Sequence, residues 1–142
     1  MLDSQRIGRN GQTMAGADLP QTPKDFRSRC SIARTLDIAG DKWTLLIVRD
    51  LMWHGKNTFQ ELQRSEERMP TNILSNRLKR LVELGLVKKE PYHDRPVRYR
   101  YTLTDAGKSL EPLLITLMDW GHTHLGGGHF DPSTDTEWRW KS

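Results

Sequence analysis

Three groups of residues in this chain have the types and spacing to do chemistry. The first is Asn72, Ser75, Asn76 and Lys79, with Thr71 and Arg77 beside them. At 3.6 residues per turn, Asn72, Ser75, Asn76, Lys79 and Glu83 fall on one side of a helix. Amides, a hydroxyl and a cation are the groups that read base edges and hold phosphates. An ordinary amphipathic helix with a solvated side has the same pattern, so the neighbouring segments must decide. The second group is Arg95, Arg98 and Arg100, the last two on alternate residues of a strand-like stretch. Guanidinium groups there could lie along a sugar-phosphate backbone or enter a minor groove, or be solvated charges on a surface hairpin. The third is the single cysteine, Cys30, next to Arg29, just ahead of Ser31 and one turn before Arg34. A thiol at the positive end of a helix and near cations is expected to favour the thiolate, the nucleophilic form. The plain alternative is a small residue that only packs.

The remaining reactive residues do not assemble into a catalytic set. His54, His93, His122, His124 and His129 are scattered, and two helical residues two apart, such as His122 and His124, face about 200° away from each other. They could bind a metal with His129 only if the helix unwinds. Cys30 lacks His and Asn or Asp partners in the order of a thiol hydrolase. Gly126-Gly127-Gly128 is followed by no GK[ST] and preceded by no strand. No enzyme, metal or cofactor is expected.

These side chains need elements to position them. Pro70 to Val87 reads as one helix, spanning about 71–84, with Leu74, Leu78 and Leu81 on its inner side and Ile73, Val82 and Leu84 at the margins. Thr71 is the expected N-cap, and Gly85 the stop. Ahead of it, Thr58-Phe59-Gln60-Glu61 is a capping box that starts a short helix with Phe59 and Leu62 inward. A turn over Glu66 to Met69 joins the pair into a helix-turn-helix. After Gly85 the period becomes two. Val97, Tyr99, Tyr101 and Leu103 alternate with Arg98, Arg100 and Thr102, and Leu86 to Tyr92 is the expected partner strand. The hairpin, about 87–103 with its tip at His93-Asp94-Arg95-Pro96, is a wing.

Two further segments frame this unit. Ser31 to Ala39 is a short helix with Ile32, Leu36 and Ala39 on one side. Asp41 caps the next, Lys42 to Trp53, whose Trp43, Leu45, Leu46, Ile47, Val48, Leu51 and Met52 point nearly all round the axis and predict burial. At the other end, Thr104 to Leu125 is expected as one helix, kinked at Pro112. It carries a heptad seam of Ala106, Leu110, Leu113, Leu117 and Trp120, and a second stripe of Leu114, Met118, Gly121 and Leu125. One stripe can cover the domain's own core, and the simplest partner for the second is another copy of the same helix. Residues 1–26 and 126–142 read as flexible arm and tail around a domain over 27–125, with Trp138 and Trp140 unassigned.

Composition agrees with this arrangement. The chain has 142 residues, 35% hydrophobic, a mean hydropathy of −0.72, a net charge of +4 and a pI near 9.4. Between Thr71 and Thr104, eight Lys and Arg face three Asp and Glu, a surplus of +5, so the rest of the chain sums to −1. The positive charge sits on one helix and the hairpin after it, as expected of a nucleic-acid face. No intrachain disulfide can form with one cysteine. No apolar run has signal-peptide or membrane length, and a cytoplasmic protein without membrane contact is expected.

The order of DKWTLLIVRDL, TFQEL, PTNILSNRLKRLVELGLV, the RYRYTLTDAGKSL junction and MDWG resembles the HxlR-type winged helix-turn-helix regulators, a MarR-like group, over about Cys30 to Leu125. The resemblance implies a mainly α fold with a small β-hairpin and dimerisation helices at both ends. It implies a bacterial transcription regulator, a homodimer on double-stranded DNA with an inverted-repeat operator. Carried over residue by residue, it marks Thr71, Asn72, Ser75, Asn76, Arg77 and Lys79 for the major groove, and Arg95, Arg98 and Arg100 for the wing. Cys30 matches a cysteine that senses oxidants or electrophiles in some relatives, which implies an oxidant or small-molecule inducer. The long arm and tail depart from the family pattern. The rival reading is a winged helix used for protein interaction without specific DNA binding, since a fold does not fix a function. The +5 surplus separates the two, because an interaction module has no need of cations on that face.

Overall fold

The computed structural model describes residues 26–134. Its elements are α1 (Ser31–Ala39), α2 (Thr44–Trp53), α3 (Phe59–Gln63), α4 (Thr71–Glu83), β1 (Val87–Asp94), β2 (Val97–Leu103), α5 (Asp105–Lys108) and α6 (Glu111–Leu125). The arm expected over residues 1–26, apart from Phe26, lies outside the described residues, as do Trp138 and Trp140.

The core forms where the apolar sides of α2, α3 and α4 meet the base of the hairpin. Ile47, Val48, Leu62, Leu74, Leu78 and Leu81 are its fully buried side chains, and Leu84, Leu86, Val87, Tyr101 and Leu114 close it. Burying each such side chain contributes roughly 1.5–3 kcal/mol. The α2 helix begins at Thr44, two residues later than expected, with Asp41 still serving its start. The Asp41 carboxylate accepts from the backbone N–H of Trp43 and of Thr44, both at 3.1 Å. The capping box at α3 is complete: the Glu61 N–H donates to Thr58 Oγ1 at 3.2 Å, and the Thr58 N–H donates to Glu61 Oε1 at 3.2 Å.

α4 ends on a Schellman motif. Gly85 takes φ 79°, its N–H bonds the Val82 carbonyl, and the Leu86 N–H bonds the Leu81 carbonyl, both at 3.0 Å. The chain then returns through the antiparallel hairpin, with Val87 opposite Leu103 and Glu90 opposite Arg100 and a bulge between Pro91 and His93. Its turn is tighter than expected, because β1 continues to Asp94. A second anchor holds the hairpin's far end. Thr104 Oγ1 donates to the Gly85 carbonyl at 2.6 Å and accepts from the Gly107 N–H at 3.1 Å. A Cβ at Gly107 would stand 2.1 Å from the Leu86 carbonyl oxygen, so only glycine fits there.

Three expectations are corrected, and the reach of one pattern is limited. Pro70, not Thr71, is the N-cap of α4, and Thr71 is its first helical residue. The alternation in β2 does not mean burial along its length: Val97 and Tyr99 are exposed and only Tyr101 is buried, because the hairpin extends past the core. The last helix is two helices, not one kinked helix. Pro112 sits in the first turn of α6, where its missing N–H costs nothing, and the break falls at Ser109-Leu110. Finally, the chain does not leave the domain at Gly126. It turns there with φ 72° and lays Phe130, 3% exposed, edge-on to Trp53 with ring centroids 5.1 Å apart.

α6 is tethered by Leu114 in the core and by Trp53 Nε1, which donates to Glu111 Oε2 at 2.8 Å. Its two stripes do not divide cleanly into an inner and an outer one. Leu114 of the second stripe is buried, whereas Leu117 and Trp120 of the heptad seam are exposed with Leu125. On α1, Ile32 and Leu36 are exposed and only Ala39 is buried. Among the described residues no helix is long and apolar enough to cross a membrane.

Candidate nucleic-acid interface

α4 buries Leu74, Leu78 and Leu81, and this fixes what its other side shows. Asn72, Ser75, Asn76 and Lys79 are all exposed on that outer side. Thr71 stands at its start, where its hydroxyl accepts from the Gln63 amide of α3. The hydroxyl thereby joins the two helices across the turn. In that turn Arg68 takes φ 55°, a left-handed conformation usually left to glycine.

Arg77 differs from its neighbours. It is half-buried and committed inside the protein. Its Nε donates to Asp41 Oδ2 at 2.8 Å, and its Nη1 donates to Asn76 Oδ1 at 2.7 Å. Burial pushes the Asp41 carboxyl up, but hydrogen bonds from Thr44, Arg77 and the backbone N–H groups of Trp43 and Thr44 outweigh it. The result is a pKa lowered to about 2. Arg80, not singled out from sequence, donates from Nη2 to the Asp37 carbonyl of α1 at 2.8 Å, so the helix is braced from that side too.

On the hairpin, Arg95, Arg98 and Arg100 are all exposed. Two cations lie on aromatic faces: Arg100 over Tyr92 at 4.8 Å and Lys89 over Tyr99 at 4.2 Å. These contacts give the exposed part of the wing a use for its aromatic rings. The structure thus places Thr71, Asn72, Ser75, Asn76 and Lys79 together on α4 and the three arginines on the adjoining hairpin, and it draws Arg77 inward.

Cys30 is exposed and stands at the N-cap of α1, with no side-chain bond to the helix. Its carbonyl accepts from the Arg34 N–H at 3.0 Å. The Arg34 guanidinium is engaged elsewhere, bonding the Ser28 carbonyl at 2.8 Å and lying 4.7 Å from the Phe26 ring centre.

A feature not foreseen from sequence lies beneath the helix-turn-helix. Asp50, 2% exposed, receives Arg49 Nε at 3.0 Å, His54 Nδ1 at 2.8 Å and the Ser65 hydroxyl. Lys56 Nζ stands 3.7 Å from the same carboxylate and donates to Ser65 Oγ at 2.8 Å. Arg49 continues to Glu67 through two parallel bonds of 2.8 Å. Burial pushes the Asp50 carboxyl up, while His54, Ser65 and the charges of Arg49 and Lys56 together hold it below its ordinary value.

The histidines late in the chain have protein partners. His129 Nε2 pairs with Asp119 Oδ1 at 2.8 Å, and His122 Nδ1 with the Gly127 carbonyl at 2.6 Å. Among the described residues no group of His, Cys, Asp and Glu gathers to hold a metal.

The family model for HxlR-like helix-turn-helix proteins matches residues 38–128. The chain belongs to that family. An uncharacterized HTH-type transcriptional regulator of Mycobacterium tuberculosis is 42% identical over 95 residues, 67% of this chain and 59% of the relative. The chain therefore spans less than two thirds of that relative's length. The HTH-type regulator YdeP of Bacillus subtilis is 32% identical over 100 residues, 70% of this chain and 77% of YdeP. Among solved structures, the redox regulator HypR in its oxidized form is similar, with a TM-score of 0.61, 32% identity, and coverage of 67% of this chain and 97% of HypR. These relatives are transcriptional regulators, not enzymes, and the mainly helical winged-helix fold is theirs. Within this HxlR-like chain, α3, the turn and α4 are the helix-turn-helix, and β1 and β2 are the wing.

Proposed function

We propose that this chain is a sequence-specific DNA-binding transcriptional regulator. α4 enters the major groove, the wing follows the backbone or the adjacent minor groove, and two copies bind an inverted-repeat operator. The observation that supports this most is the exposed side of α4, with Asn72, Ser75, Asn76 and Lys79, together with the exposed Arg95, Arg98 and Arg100 on the hairpin that follows it. Two such helices in a two-fold dimer would lie about 34–36 Å apart, one turn of the duplex. α1 and α6 supply the pairing surface.

The test is a salt titration on a duplex taken from a random pool by selection. Parent protein is expected to lose affinity steeply with salt. The triple variant Arg95→Ala, Arg98→Ala, Arg100→Ala is expected to lower the slope of log affinity against log salt by about 1 for each phosphate that is no longer neutralised. An unchanged slope would remove the wing from the interface. No salt-dependent binding at all would leave the protein-interaction reading in its place.

The exposure of Cys30 and the likeness to a redox regulator support a second element of this reading: oxidation at Cys30 changes DNA binding. α1 also carries the exposed Ile32 and Leu36, so a group added at its cap lies beside the pairing surface and can shift one recognition helix against the other. With one cysteine in the chain, the products open to an oxidant are a Cys30–Cys30 bond between subunits or a mixed disulfide with a small thiol. Operator affinity of the parent is expected to change after a mild thiol oxidant, and that of Cys30→Ser to stay constant. Equal responses of the two proteins would discard the sensor.

A further inference from the structure

The Asp41–Arg77–Asn76 chain runs from the start of α2 to the outer side of the recognition helix. Its geometry decides what Asn76 can offer. A guanidinium nitrogen is only a donor. The Asn76 atom that meets Arg77 Nη1 at 2.7 Å must therefore be the amide oxygen, which leaves the amide nitrogen at the other fork. Among the described residues, no protein group accepts a hydrogen bond from that nitrogen, and Asn76 is exposed. Arg77 cannot swing away freely, because its Nε is fixed 2.8 Å from Asp41. Asp41 is itself held by the Thr44 hydroxyl at 2.5 Å and by backbone N–H groups of Trp43 and Thr44 at 3.1 Å.

A free asparagine on a recognition helix suits adenine, giving N–H to N7 and accepting from N6. Here Nη1 occupies one acceptor site of the Asn76 oxygen and sets a positive charge beside it. An adenine N6 amino group would approach against that charge. What remains outward is the N–H2 donor. In the major groove guanine presents O6 and N7 and thymine presents O4 as acceptors; adenine also presents N7, but with the N6 donor beside it, which would meet the Arg77 charge. We infer that Arg77 is a positioning residue that holds Asn76 as a hydrogen-bond donor, so that Asn76 selects guanine or thymine rather than adenine in each half-site. This rests on the DNA-reading role of α4 proposed above.

A positioning arginine behaves differently from a phosphate-binding cation. Lysine keeps the charge, but as a single point on a flexible stem it cannot span Asp41 and Asn76 in the planar fork that arginine provides. Arg77→Lys is therefore expected to leave the salt slope unchanged and to release the Asn76 amide. Asn76→Asp makes the opposite change on an exposed residue with little consequence for folding. It keeps an oxygen for Arg77 and replaces the outward donor by an acceptor.

The experiment is selection of bound duplexes from a random pool at fixed salt, with parent, Asn76→Ala, Asn76→Asp and Arg77→Lys, each checked for its melting temperature. The parent is expected to enrich guanine or thymine at a position that Asn76→Ala flattens. At that same position Asn76→Asp should favour cytosine, whose N4 is a donor, and Arg77→Lys should move the preference toward adenine. Relative affinity for the two bases should change by roughly five- to a hundred-fold, the range of one good base contact. Retention of the parent's preference by Arg77→Lys or by Asn76→Asp overturns the positioning role, and a lower melting temperature with unchanged preference makes Arg77 a structural brace only. If the parent enriches no sequence, the reading role of α4 fails and the inference with it; if the parent enriches one, only the positioning role is at stake in the variants.

Discussion

Asp50→Ala is expected to destabilise the domain by about 3–5 kcal/mol, the usual result of removing one partner from a buried charge network. The carboxylate is 2% exposed and meets Arg49, His54 and Ser65 directly, with Lys56 at 3.7 Å. Without it, Arg49 keeps Glu67 and Lys56 keeps Ser65, but His54 Nδ1 loses its acceptor in a place where water is scarce and Lys56 loses a nearby counter-charge. The network spans α2, the loop after it and the turn between α3 and α4, so DNA binding should fall with stability. The pH dependence has a definite sign. The Asp50 carboxyl is held below its ordinary value of 3.8, and Asp41 is lowered to about 2. A group depressed in the folded state stabilises above its unfolded pKa, and that contribution is lost as pH falls through the folded value. Parent stability should therefore decline as pH drops below about 4, with the Asp41 share going between about 4 and 2. Asp50→Ala should show a shallower decline over that window. Urea unfolding at a series of pH values measures both. A loss under about 1 kcal/mol near neutrality would mean that the network stabilises no more than an exposed ion pair does.

Much of this fold is legible in the sequence because single elements announce themselves locally. The Leu74, Leu78 and Leu81 spacing defined the buried side of α4, and with it the exposed side. Thr58 and Glu61 marked a helix start through bonds that close within four residues. Gly85 marked a stop through a backbone conformation that few other residues adopt. What the pattern does not convey is whether anything lies opposite. Val97 and Tyr99 alternate as properly as Tyr101 does, yet the hairpin outruns the core and leaves them exposed. Long-range polar pairings are hidden for a related reason. Arg49 and Asp50 interrupt an otherwise apolar helix and would read as its solvent side, and Glu67 lies 18 residues from Arg49. Arg77 is of a kind with its neighbours Asn76 and Lys79 in sequence, and only the fold brings up Asp41, 36 residues earlier, to hold it. Phe130 carries no periodic signal, since it lies just beyond three consecutive glycines and packs as one ring on Trp53.

The apolar residues left outside give the largest effect on function. Leu117→Glu with Trp120→Glu is expected to convert the proposed dimer to monomer. Leu117 is 49% and Trp120 59% exposed on α6, while Ile32 is 72% and Leu36 53% exposed on α1. Large apolar side chains on both terminal helices are unusual for a protein that works alone. Glutamates there should alter the folded monomer little, because both side chains already face water and the tethers of α6, Leu114 and the Trp53–Glu111 bond, are untouched. Their cost falls on association, where like charges would meet across a two-fold axis. DNA binding then loses its second, tethered half. Affinity for an inverted repeat should drop by roughly 10²–10⁴-fold, the gain that joining two binding modules provides, while affinity for a single half-site stays near the parent's. Sedimentation at micromolar concentration and titration on full and half operators give the two readings side by side. A parent that sediments as a monomer with and without DNA, or a variant that remains dimeric, would move the pairing surface away from α6. A variant that is monomeric yet binds the full operator as tightly as the parent would mean that each recognition helix binds on its own, and that operator symmetry contributes nothing to affinity.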